Sequence, residues 1–95
     1  MPTLKAKDVH SALLRKGFEV ENSHHVFFLL KIKGKRSSVK TKMSHGASEL
    51  DDRLIGFMAE QLHLTKAQFN NLVSCPLSKE EYVDILVEKR VVILN

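Results

Sequence analysis

Apolar and polar positions along this chain fall into a short series of rhythms, each marking one element. Val9, Ala12 and Leu13 repeat at i, i+3, i+4, the spacing of one helix face, with Asp8 placed to cap the helix start. Arg15 and Lys16 suit its last turn and Gly17 its stop, so the first helix ends near Lys16 and begins at Asp8 or a few residues earlier, at Thr3 to Lys5. The rhythm then changes to period two. Phe18-Glu19-Val20-Glu21 alternates, Asn22-Ser23 marks a tight turn, and His24 to Ile32 is rich in β-branched and aromatic residues. Lys33-Gly34-Lys35 reads as a hairpin turn, after which Arg36 to Lys42 alternates again. Three antiparallel strands in a meander follow. From Ser48 the pattern turns helical three times, over about 49 to 62, 66 to 73 and 79 to 89. Each helix start carries a capping box or a close variant: Ser48 with Asp51, Thr65 with Gln68, and Ser78 with Glu81. The apolar stripes Leu50, Leu54, Phe57, Met58 and Tyr82, Ile85, Leu86 read as core.

The element order is helix, three-stranded sheet, helix, then a helical pair. Two helices on one face of a meander make a layered α+β architecture with the other face open. This is the double-stranded-RNA-binding-domain-like α-β-β-β-α topology, with a C-terminal helical extension. The 95 residues suit one domain, with a core over 1–63 and an extension over 64–95. The longest apolar run, Val26 to Leu30, is far too short to cross a bilayer, and Met1 to Lys5 lacks the apolar segment of a signal peptide. A cytoplasmic protein with no membrane partner is expected. The single cysteine, Cys75, has no internal disulfide partner and reads as a small hydrophobe beside Pro76.

Charge changes the picture. Residues 1–45 hold ten Lys and Arg against Asp8, Glu19 and Glu21, whereas residues 46–95 hold five against eight acids, within a net charge of +4. A basic half attracts polyanions, nucleic acid above all, although such a surface is also common on proteins that bind none. In the third strand, alternation puts Arg36, Ser38, Lys40 and Lys42 on one face and Ser37, Val39 and Thr41 on the other. The second strand, with His24, Val26, Phe28 and Leu30 on one face and His25, Phe27 and Leu29 on the other, is apolar on both.

His24-His25 at the head of that strand are the candidate chemistry. RNA is cut without a metal when a base takes the 2′-hydroxyl proton and cations stabilise the pentacoordinate phosphorane, and histidine titrates near neutrality. His24 beside Arg36, Lys40 or Lys42 would combine base and phosphate clamp. On the residues alone the favoured reading is a structural pair of semi-exposed strand histidines, their ring nitrogens bonded to turn carbonyls, since functional histidines are a minority. A Zn²⁺ site of His24, His25 and His45 is the weakest alternative, because adjacent strand residues face opposite ways and no thiolate or acid accompanies them. His10 and His63 read as surface or packed imidazoles on or at the end of helices.

Gly17-Phe18-Glu19-Val20 after a helix, followed by Ser23-His24-His25-Val26-Phe27, resembles the "GSHxxF" signature of HicA-like (YcfA-like) toxins, small mRNA-cleaving components of type II toxin–antitoxin pairs. The resemblance spans Lys7 through the second helix. It implies that His24 is the catalytic histidine and Phe27 structural. His25 is a second histidine found in many members, and Ser44-His45-Gly46 is similar to the family's polar stretch after the third strand, making His25 and His45 possible auxiliary residues. Asn22 stands where the family has glycine, a substitution that Asn tolerates through αL geometry. The segment from Cys75 lies beyond the family core.

The resemblance therefore implies a metal-independent endoribonuclease acting on mRNA without cofactor, with Lys35, Arg36, Lys40 and Lys42 on the RNA backbone and a HicB-like antitoxin as partner. A non-catalytic RNA-binding module of the same fold is the alternative. A third is a protein-interaction domain, in which the two-faced strand and Val91 to Leu94 make a homodimer contact.

Overall fold

Among the residues that the computed structural model describes (4–46, 48–74 and 76–92), the chain is an α+β protein with a three-stranded antiparallel sheet and four helices. A short strand β1 (Leu4–Lys5) leads into α1 (Ala6–Arg15), and the meander β2 (Phe18–Asn22), β3 (Val26–Ile32) and β4 (Lys35–Met43) follows. Then come β5 (Glu49–Leu50), α2 (Asp52–Gln61), α3 (Lys66–Ser74) and α4 (Lys79–Glu88). Asp8 lies in the first turn of α1, where its charge favours the helix dipole; the cap position is Lys5, without a side-chain cap bond. Gly17, at φ 91°, ends this helix, and its missing side chain leaves room for the Lys79 stem of α4.

One helix start differs from the sequence expectation for a tertiary reason. Leu4 pairs with Leu50 and Lys5 with Glu49, holding the segment before α2 extended. The second helix therefore starts at Asp52, and Asp51, not Ser48, caps it by accepting from the Leu54 N–H at 2.9 Å. The boxes at Thr65/Gln68 and Ser78/Glu81 form as expected.

β3 pairs with both neighbours, and the Lys33-Gly34 turn has positive φ at both residues, as a type I′ hairpin requires. Between the pairs Leu29–Lys40 and Lys31–Arg36, β4 holds two more residues than β3. Ser37 stabilises this bulge, donating to the Leu30 carbonyl at 2.9 Å and accepting from the Val39 N–H. An even number of extra residues preserves side-chain parity, so Arg36, Lys40 and Lys42 still share a face.

The inner sheet face (Phe18, Phe28, Leu30, Val39, Met43) packs into one core with α1 and α2. Helix α3 lies against both of them through Phe69 and Leu72, and the Tyr82 ring of α4 stacks on Phe18, its hydroxyl donating to the Leu62 carbonyl at 2.9 Å. Burial pushes the Tyr82 phenol well above its ordinary value. Val91 and Val92 pack partly buried against this core, while Cys75 and Ile93 to Asn95 lie outside the described residues. No helix among the described residues is long and apolar enough to cross a membrane.

Candidate nucleic-acid interface

The last pair of the β2–β3 ladder is Asn22 with Val26, which leaves Ser23, His24 and His25 as a three-residue loop. The Ser23 N–H donates to the His25 carbonyl at 3.0 Å and closes it. His24 is thus the apex of a tight loop and not the first residue of a strand. Strand alternation would have sent it inward with Val26 and Phe28; the loop turns it to solvent, where it is exposed. Asn22 is an ordinary strand residue, outside the positive-φ region.

Val26 also pairs with Met43, so the residues after Met43 run beside the loop. His45 anchors it there: its Nε2–H donates to the Ser23 carbonyl at 2.8 Å. A carbonyl only accepts, so this bond sets the His45 tautomer and gives the residue a positioning role. His10, half-buried on α1 with its ring edge-on to Phe28 at 5.5 Å, lines a shallow cleft with Ser11, Ser44 and His45. His63 ends α2 in a left-handed conformation, φ 63°, the place glycine usually takes, and is remote from this cluster in sequence and contacts.

The four cations expected on RNA divide into two groups. Lys42 is paired with Phe27 and Lys40 with Leu29; both lysines are exposed, and among the described residues neither has a carboxylate within ion-pair distance. Lys42 stands at the loop end of the sheet and Lys40 midway along β3, beside half-buried Phe27 and Leu29 on the open face. Lys35 and Arg36 lie at the hairpin end, roughly 20–25 Å along β4 from Met43 at ~3.3 Å per residue.

Arg36 is moreover engaged. Its Nε (2.9 Å) and Nη2 both donate to Glu19 Oε1, Nη2 lies 3.6 Å from Glu21, and Lys31 lies 3.3 Å from the other Glu19 oxygen. The hydrogen bond to Glu19 raises the Arg36 pKa, and the bonds from Arg36 and then Lys31 hold the Glu19 carboxyl below its usual range. Arg36 and Lys31 are thus engaged by carboxylates, whereas exposed Lys35 has none within ion-pair distance among the described residues.

Two residues of the site are missed by reading periodicity. Leu54 and Phe57 stay 43% and 48% exposed on α2, where they were expected in the core. With His25, Lys42 and Met58 they line a cleft of about 110 Å³ beside the loop. A signal for this exists in the sequence: the α2 apolar positions 54, 55, 57, 58 and 59 span roughly 200° at 100° per residue, twice the stripe that a core-facing helix needs. Among the described residues no group of three or more His, Cys, Asp or Glu is arranged to hold a metal ion. No protein-family model, curated protein or solved structure matches the chain.

Proposed function

We propose that this protein is an endoribonuclease of HicA-like type on a double-stranded-RNA-binding-domain-like fold, cutting mRNA by attack of the RNA's own 2′-hydroxyl. The observation that carries this is the free, exposed imidazole of His24 at the apex of a loop braced by His45, at the end of the sheet where Lys42 stands, with Lys40 two residues further along the same face. His24 takes the 2′-hydroxyl proton. The oxygen then bonds to the adjacent phosphorus while the bond to the 5′-oxygen breaks, leaving a 2′,3′-cyclic phosphate and a 5′-hydroxyl end that gains a proton from water or a second imidazole. Lys42 and Lys40 hold the flanking phosphates and offset the charge of the pentacoordinate state. A single histidine base contributes about 10²- to 10⁴-fold, enough for slow cleavage. A HicB-like antitoxin would neutralise the protein by covering the His24 loop with acidic surface.

The open face, Phe27 and Leu29 flanked by unpaired lysines, equally favours a second reading as a non-catalytic RNA-binding module. Cleavage of a labelled structured RNA in EDTA, by wild type and by His24→Ala, separates the two. Because His24 makes no contact that the fold needs, the variant keeps the wild-type circular dichroism and melting temperature; cleavage falls at least about 100-fold while RNA binding persists. Equal cutting by both proteins, or RNA binding with no cutting by either, rejects His24 as catalyst.

A further inference from the structure

The loop that presents His24 also opens, through its next residue, onto the cleft between the sheet end and α2. Met43, Leu50 and Met58 form an apolar floor, His25 and Phe57 supply two rings, and Lys42 stands among the lining residues. His25 is half-buried and held edge-on to Phe27, with ring centroids 6.2 Å apart, so it is a braced surface. Leu54 and Phe57, three positions apart on α2, leave two large apolar side chains in water on the same side of the cleft. Scattered single exposures are ordinary, but paired apolar exposure around a concave site beside a cation is the composition of a binding site.

We propose that this cleft is a base-stacking subsite that takes one unpaired nucleobase of single-stranded RNA, next to the phosphate positioned at His24. The proposal rests on the RNA reading above. Its chemistry is specific to an unpaired base: a planar π-face lies against Phe57 and His25, its apolar edge on Met58 and Leu54, while the attached phosphate reaches the Lys42 ammonium. A duplex buries these faces in its own stack and has none to offer. A partner helix would need apolar anchors repeated over several turns, whereas this cleft is about one turn of α2 long. The site therefore selects single-stranded or looped RNA for cleavage.

The test uses a fluorescein-labelled A/U oligoribonucleotide of about eight nucleotides and the same strand with abasic riboses, bound to the His24→Ala protein so that nothing is cut. Anisotropy at fixed salt is compared with Phe57→Ala and Phe57→Tyr added. Phe57→Ala is expected to weaken binding of the normal strand about 5- to 100-fold, the range of one lost base–aromatic stack. Phe57→Tyr, which keeps the ring, should stay within about twofold of the parent. The abasic strand should bind all three proteins alike, at the weaker level. Unchanged binding in Phe57→Ala, or an equal loss for the abasic strand, overturns the subsite while leaving the RNA reading in place. If Phe57→Ala leaves RNA binding intact but converts a dimer to monomer in sedimentation, the cleft is a protein interface and the proposal falls. No binding of either strand by the parent removes the RNA reading, and the subsite with it.

Discussion

Glu19 is the residue on which the charge of the open sheet face turns. It sits across β3 from the basic strand and draws Arg36 and Lys31 onto one carboxylate. Glu19→Gln should free Lys31 and leave Arg36 only its longer contact with Glu21, tighten RNA binding and steepen the salt dependence of log Kd by about 0.7 to 1.4, one to two single-strand phosphate contacts. Anisotropy titrations at several salt concentrations check this. The same residue has a pH signature. Its pKa is depressed below 4.5 in the fold, so its contribution to stability is present above that value and lost as pH falls through the folded pKa. The stability difference between wild type and Glu19→Gln in urea titrations should accordingly shrink below about pH 4.5. At this scale the sequence was only partly informative. Alternation put Lys40 and Lys42 on one face, but pairing across strands decided that Arg36 meets Glu19 and that Lys42 meets the loop.

Helices α3 and α4 begin where their capping boxes say they should because a capping box is a local device: donor and acceptor are three residues apart and need no distant partner. Glu81 shows the effect in its charge, its pKa lowered by the Ser78 backbone N–H and then by the Ser78 hydroxyl contact. Ser78→Ala should cost about 1 kcal/mol in urea unfolding without moving the RNA site. The box at Ser48 was legible in the same way and does not form. Leu4–Lys5, more than forty residues earlier, pairs with Glu49–Leu50 and keeps that segment extended. Two-residue strands leave no periodicity, so the pairing had no trace in the sequence. Residues 23–25 are a parallel case: a turn was evident near Ser23, but the register of β2 on β3, extending to Asn22–Val26, decided that His24 falls at its apex.

Across the whole molecule, the segment after residue 64 is part of the core. Phe69, Leu72, Tyr82 and Leu86 are fully buried, and the half of the chain that holds the His24-His25 pair supplies partners for them, Phe18 among these. Lys16, itself buried, donates to the Leu77 carbonyl and fastens the end of α1 to the α3–α4 connection. Fully burying four such side chains contributes about 6–12 kcal/mol, comparable to the whole stability of a small domain. Removal of residues 65–95 should therefore leave a chain without a cooperative thermal transition, seen by circular dichroism and by collapsed amide dispersion in NMR. A truncated chain with native dispersion would show that α1, the sheet and α2 suffice.

By itself, the sequence determined the α+β class, the order of helix, meander and helices, the parity of the basic strand, and the histidine pair as candidate chemistry. All of these follow from periodicity, turn residues and caps, which act within a few residues. Only the tertiary structure decided that His24 is an exposed apex braced by His45, that Arg36 is held by Glu19, and that Phe57 faces a cleft and not the core. Each of these is set by contacts between residues far apart in the chain, and local pattern carries no register for such contacts.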